Sequence, residues 1–137
     1  RSDRDLDVSA WRPGSEYNRR FDPGLVTTVR GTIQSIGTFT VARHSVEGLR
    51  LSVKTAEGQT WAIHAGPRPF IESQGIILHF GDEVTVMGVP ARIDAWSGQV
   101  LMASKIECGD QTLLLRDANG TPQWETGDLI TAGSSMR

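Results

Sequence analysis

Cysteine is almost absent. Cys108 stands alone among 137 residues, so no internal disulfide can form, and neither a reducing nor an oxidising compartment is excluded. A surplus of one charge is also lacking. The formal net charge is −2 and the pI about 5.9, whereas chains that live by neutralising phosphates are usually basic. No apolar run approaches the ~18 residues of a membrane span. The longest, such as Ile76-Ile77-Leu78, are strand-sized. Chemical motifs are missing as well: no Cys-x-x-Cys, no His-x-x-x-His, no Gly-x-Ser-x-Gly and no glycine-rich phosphate cradle ahead of a helix. A structural metal needs several ligands at close spacing, but His44, His64 and His79 are scattered and Cys108 is phased inward. Covalent haem attachment would need Cys-x-x-Cys-His, and Met102 is phased toward a core. The reading is therefore no catalytic residue, no metal, no cofactor and no enzyme.

What the chain has is strands. After a turn at Asp22-Pro23-Gly24, a long first strand runs from Leu25 to about Thr40, with Gly31 and Gly37 marking bends. The next two runs form a hairpin. A loop of Ala56-Glu57-Gly58, with Gly58 left-handed, pairs Val53 with Trp61 and Leu51 with Ile63, which puts both apolar rows on one face. The same register places Arg50 beside His64 on the other face. Gly66-Pro67-Arg68-Pro69 ends the third strand, and Phe70 to Gln74 makes one or two helical turns that plug a barrel with Phe70 and Ile71. Two strands follow, around Val84–Met87 and Val100–Cys108, then a short one over Thr112–Arg116. Strand, strand, strand, helix, strand, strand is the chain order of an OB-fold. The fold class is all-β, a five- to six-stranded Greek-key barrel with one short helix between strands 3 and 4.

Three regions follow: an extended N-terminal arm over 1–20, a barrel over 21–117 and a C-terminal tail over 118–137. The arm shows no period of 2 or 3.6, and the tail is polar and rich in small residues. Trp11 and Tyr17 in the arm, Trp96 near a loop tip and Trp124 in the tail are either folded back onto the barrel or anchors for a partner. The barrel face offers Arg30, Arg50, Lys54 and His64 for polar contacts with a partner. His64 is a half-exposed strand histidine bonded to a neighbour or, alternatively, a ligand contact. An oligonucleotide would want exposed aromatic platforms among these cations, and the strands offer no clear outward ring. Nucleic acid is therefore the rival reading.

Val29-Arg30-Gly31-Thr32-Ile33, Ile63-His64-Ala65-Gly66-Pro67, Phe80 to Gly88, and Leu113-Leu114-Leu115-Arg116-Asp117 with Gly120, Pro122 and Trp124 form a set of motifs. Across Phe21 to Trp124 this set resembles the small bacterial OB-fold proteins of the cell envelope, some of which accompany respiratory or other electron-transfer components. The His-x-Gly-Pro piece and the Leu-Arg-Asp…Gly-x-Pro-x-Trp ending carry most of the resemblance. It implies an exported, periplasmic or envelope-associated protein, its leader removed ahead of Arg1. It also implies an accessory, protein-binding subunit of a larger complex, membrane-bound ones included.

Overall fold

The computed structural model of the chain describes residues 9–12, 14–41, 45–91 and 99–124. Six strands and one helix follow in order: β1 Thr27–Phe39, β2 Gly48–Thr55, β3 Thr60–Pro67, α1 Arg68–Ser73, β4 Glu83–Ala91, β5 Gln99–Cys108 and β6 Gln111–Leu114. They form a single sheet in the order β3-β2-β1-β4-β5-β6. A parallel pairing of Trp61–His64 with Gln99–Met102 joins β3 to β5 and closes five strands into an OB barrel, with β6 added to the far half of β5.

The hairpin has the expected register: Val53 opposite Trp61, Leu51 opposite Ile63 and Arg50 opposite His64. Gly58 sits at φ +90°, where a side-chain-bearing residue is strained, and the Thr55 N–H bonds the Gln59 carbonyl to close the three-residue loop. β1 serves two neighbours. It pairs with β4 along Thr27–Thr32 and with β2 along Gly31–Phe39, and a bulge between Ile33 and Ser35 bends it from one to the other. The barrel interior is aliphatic: Ile33, Leu51, Val53, Ile63, Val86, Leu101 and Ile106 are all fully buried. Each contributes roughly 1.5–3 kcal/mol of apolar burial. Trp61, expected within, is half-buried and packs against this core from its rim.

Pro69 lies in the first turn of α1, where its missing N–H is no loss, and Phe70 and Ile71 are the helix's two buried residues. Met102 is core, as its phase required, and Cys108 is half-buried with its thiol 3.7 Å from Asp82 Oδ2. Burial is the main cause that raises the Cys108 pKa, with the Asp82 charge adding to it.

Candidate binding surface

The face of β2 and β3 is where OB barrels commonly take up ligands. Cross-strand register assigns Phe39, Gly48, Gly37, Arg50 and His64 to this outer face, since Phe39 pairs Gly48, Gly37 pairs Arg50 and Arg50 pairs His64. The surface is not open at this end. Residues 9–12 and 14–21 lie over it, with 3₁₀ turns at Ser9–Trp11 and Asn18–Arg20, and the chain returns after β6 to add Trp124. Trp11 meets Tyr17, Phe39 and Trp124 edge-on at centroid distances of 5.3, 5.7 and 5.8 Å, and Phe39 stacks on His64 at 3.7 Å. Such contacts add about 0.5–1.5 kcal/mol each beyond area burial. The two glycines beneath are cut to fit. A β-carbon on Gly48 would come within 2.5 Å of the Phe39 ring, and one on Gly66 within 2.9 Å of the Trp124 ring.

Most polar groups in this layer are matched to one another, and among the described residues the buried Nε of Arg116 is the exception. Trp11 Nε1 donates to the Val46 carbonyl at 2.8 Å, and Trp124 Nε1 donates to the Trp11 carbonyl at 2.8 Å. Asn18 Nδ2 donates to the carbonyls of Trp11 and Arg12 at 2.7 and 2.8 Å, and Asn18 Oδ1 accepts from Arg116 Nη2 at 2.8 Å. Arg116 is 3% exposed, and no carboxylate pairs with it among the described residues. Its guanidinium instead lies 4.6 Å from the Phe21 ring centroid and 5.1 Å from that of Trp124, so aromatic faces hold the charge. Burial draws its pKa down to about 10, which leaves it a cation at neutral pH.

This arrangement corrects several expectations. Residues 9–20 are not an extended arm: Trp11 is fully buried and Tyr17 is 7% exposed, so neither ring is presented to a partner. Trp124 is likewise buried, not a tail anchor. Asp117 Oδ1 caps a turn by accepting the Asn119 and Thr121 N–H groups, and the hairpin this makes carries Trp124 back to Gly66. His64 does lie on the outer face, as parity required, yet it is 3% exposed because the N-terminal segment covers it. Its Nδ1 shares a 3.2 Å hydrogen bond with the Tyr17 hydroxyl. Burial, followed by the nearby Arg50 charge, pushes the imidazole down to about 3, and burial pushes the Tyr17 phenol up. The histidine is therefore a neutral packing element, sealed from any ligand. Trp96 and residues 125–137 of the expected tail lie outside the described residues.

Gly66 is the most exacting position in this layer. It sits at φ +148°, and Trp124 fills the space of its missing side chain. Gly66→Ala is expected to lower stability by about 2–5 kcal/mol, from backbone strain and overpacking together. Urea denaturation checks this, as a lowered midpoint with an unchanged slope.

Arg30 and Lys54 remain exposed, away from this layer. Both line an open cleft of about 730 Å³ between the first half of β1 and the β2–β3 turn, walled also by Thr28, Thr32, Trp61 and Pro90. Arg50 is half-buried over Gly37 and does not reach the cleft. No group of three or more metal-ligating side chains gathers among the described residues. No helix there is long and apolar enough to cross a membrane. Sequence reasoning missed Arg116 and Asn18, and the Leu-Arg-Asp motif was a signal for Arg116 alone.

The chain is similar to solved OB-fold structures. The mitochondrial single-stranded DNA binding protein Rim1 of S. cerevisiae is 17% identical at a TM-score of 0.49, over 61% of this chain and 94% of that one. The N-terminal domain of PriB from Thermoanaerobacter tencongensis is 15% identical at a TM-score of 0.47, over 64% of this chain and 99% of that one. A small single-stranded DNA-binding protein from Streptomyces coelicolor is 16% identical at a TM-score of 0.44, over 63% and 93%. These likenesses concern the fold alone. No curated protein matches the chain. A family model matches residues 25–113, from just ahead of β1 through the core residue of β6, and the chain belongs to the MamS/MamX magnetosome protein family.

Proposed function

We propose that the chain is a non-enzymatic binding or scaffolding subunit, an accessory component of a larger membrane-associated assembly in the bacterial envelope. Family membership supports the setting. An electron-transfer complex is the class of assembly that the envelope resemblance suggests. The observation that carries the binding role is the filled β2–β3 face. With Tyr17 stacked on His64, Trp11 packed on Tyr17 and Trp124 packed on Trp11, the customary ligand surface of the barrel is occupied by the chain's own rings. Among the described residues, the surface left to the outside includes the Arg30–Lys54 cleft and exposed apolar side chains such as Leu25, Ile77 and Phe80.

Single-stranded oligonucleotide binding is the second reading, favoured by one observation: two cations share the cleft with the half-buried Trp61. Titration with oligothymidine at low and moderate salt separates the two readings. The accessory-subunit reading expects no tight, salt-sensitive binding. It also expects a constant set of envelope proteins to co-purify with the chain from native membranes. Affinity that falls steeply with salt, with no co-purifying chain, would reverse the assignment.

A further inference from the structure

β1 outruns β2. The last β2 pairing is Thr55 with Gly31, after which the chain turns away through Ala56-Glu57-Gly58. β4 continues along the other side of β1 as far as Thr27. Among the described residues, Thr27–Arg30 therefore have a partner strand on one side only.

The direction of the backbone groups follows from the ladder. The Ile33 N–H donates to the Asp82 carbonyl and the Ile33 carbonyl accepts from Gly81, so Ile33 faces the β4 side. From Thr32 back to Thr27 the pairing with β4 runs without a bulge. Successive residues of a strand alternate, so Thr32, Arg30 and Thr28 face the β2 side. Thr32 is answered by Lys54. The β2 ladder ends at the Gly31–Thr55 pair, so the N–H and C=O groups of Thr28 and the N–H of Arg30 point past the end of β2 toward the 730 Å³ cleft.

We infer that this edge receives an extended peptide segment as an added strand, with side chains alternating between acidic and apolar. The inference rests on the protein-binding reading above and names the chemistry of the partner. Main-chain bonds to Thr28 and Arg30 supply the docking, and alternate side chains supply the selectivity. On the outer face Arg30 and Lys54 are diagonal neighbours across Thr32, a spacing of roughly 7–8 Å that lets both reach one carboxylate. Neither is in an ion pair among the described residues, and the cleft's own acids, Glu57 and Glu83, leave them so. On the opposite side of an added strand, Trp61 and Pro90 offer an apolar wall. A second copy of the barrel fits less well, since its β1 would carry a whole sheet against the Ala56–Gly58 turn.

The test titrates the full chain with a capped hexapeptide alternating aspartate and leucine, and with a peptide of the same composition in two blocks. The alternating peptide is expected to bind at least tenfold more tightly. Thr28→Pro removes an N–H that faces the cleft and not the β4 ladder, so it should weaken binding at least tenfold with little change in melting temperature. The double variant Arg30→Glu/Lys54→Glu should transfer the preference to a peptide alternating lysine and leucine, and it decides the matter should the proline variant fail to fold. Equal binding of the two peptides overturns the inference. So does unchanged affinity in the folded Thr28→Pro protein, failure of the double variant to transfer the preference, or Thr28-dependent dimerisation with no peptide bound. Envelope proteins that still co-purify with a folded Thr28→Pro chain would sink this inference alone. Their absence from the wild-type preparation would sink the accessory-subunit reading instead.

Discussion

Replacing Trp11 by alanine is expected to remove about 3–5 kcal/mol from the free energy of unfolding, the range for truncating a fully buried aromatic. Domains of this size are stable by only about 5–15 kcal/mol, so the loss is a large share of the whole. The position earns this effect through geometry. Trp11 is 0% exposed and touches Tyr17, Phe39 and Trp124. Its indole N–H satisfies the Val46 carbonyl, and its own carbonyl receives Trp124 and Asn18. Removing the ring opens a cavity between two layers that hold each other in place. A chain shortened to begin at Phe21 should show a comparable loss, whereas an unpacked arm could be removed at no cost. Urea denaturation of the wild type, Trp11→Ala and the shortened chain measures both.

Acid should destabilise the protein through His64 specifically. The folded imidazole sits at about 3, against an ordinary value near 6.5, because burial disfavours the charged ring and Arg50 repels it. The unfolded chain therefore binds a proton that the folded chain refuses. Stability from this source is complete above pH 6.5 and is lost as pH falls toward 3. The loss is about 2 kcal/mol between pH 7 and 5, and on the order of 4–5 kcal/mol at the acid limit. His64→Phe keeps a flat ring against Phe39 and removes the titration. It should be less stable than wild type at pH 7, by about 1–2 kcal/mol for the lost Tyr17 hydrogen bond. That gap should close, and then reverse, as the pH is lowered. A gap that stays constant from pH 7 to 4.5 would show that the ring takes up protons equally in both states.

The barrel was legible because its strands follow a period. Leu51, Val53 and Ile63 form inward rows whose parity fixed the hairpin register, and Gly58 identified the loop. Parity also put His64 on the correct face. What it could not supply was the cover on that face. Tyr17, just ahead of one short 3₁₀ turn, reaches His64 across 47 residues of chain, and Trp11, at the end of another, reaches Phe39; such turns carry no hydrophobic period. The signals that were present pointed the same way: Gly48 and Gly66 leave room for the Phe39 and Trp124 rings, and Trp124 closes a motif that begins at Leu113. His-x-Gly-Pro and Leu-Arg-Asp…Gly-x-Pro-x-Trp look like two motifs along the chain. Folded, they are one piece of packing, with Trp124 against Gly66 and Arg116. The cleft was hidden for another reason. Arg30 and Lys54 were legible as outer-face cations, but the open edge beside them depends on where β2 stops relative to β1.

The account turns on whether the N-terminal segment seals the outer face of β2 and β3. Nuclear magnetic resonance of the assigned His64 imidazole across pH 4 to 8 tests this directly. A sealed ring stays neutral throughout, its nitrogen resonances unchanged to the lowest pH at which the protein remains folded. A midpoint near the ordinary imidazole value of about 6.5 would mean that water reaches the ring and that the Trp11–Tyr17–Trp124 cover does not exist in solution.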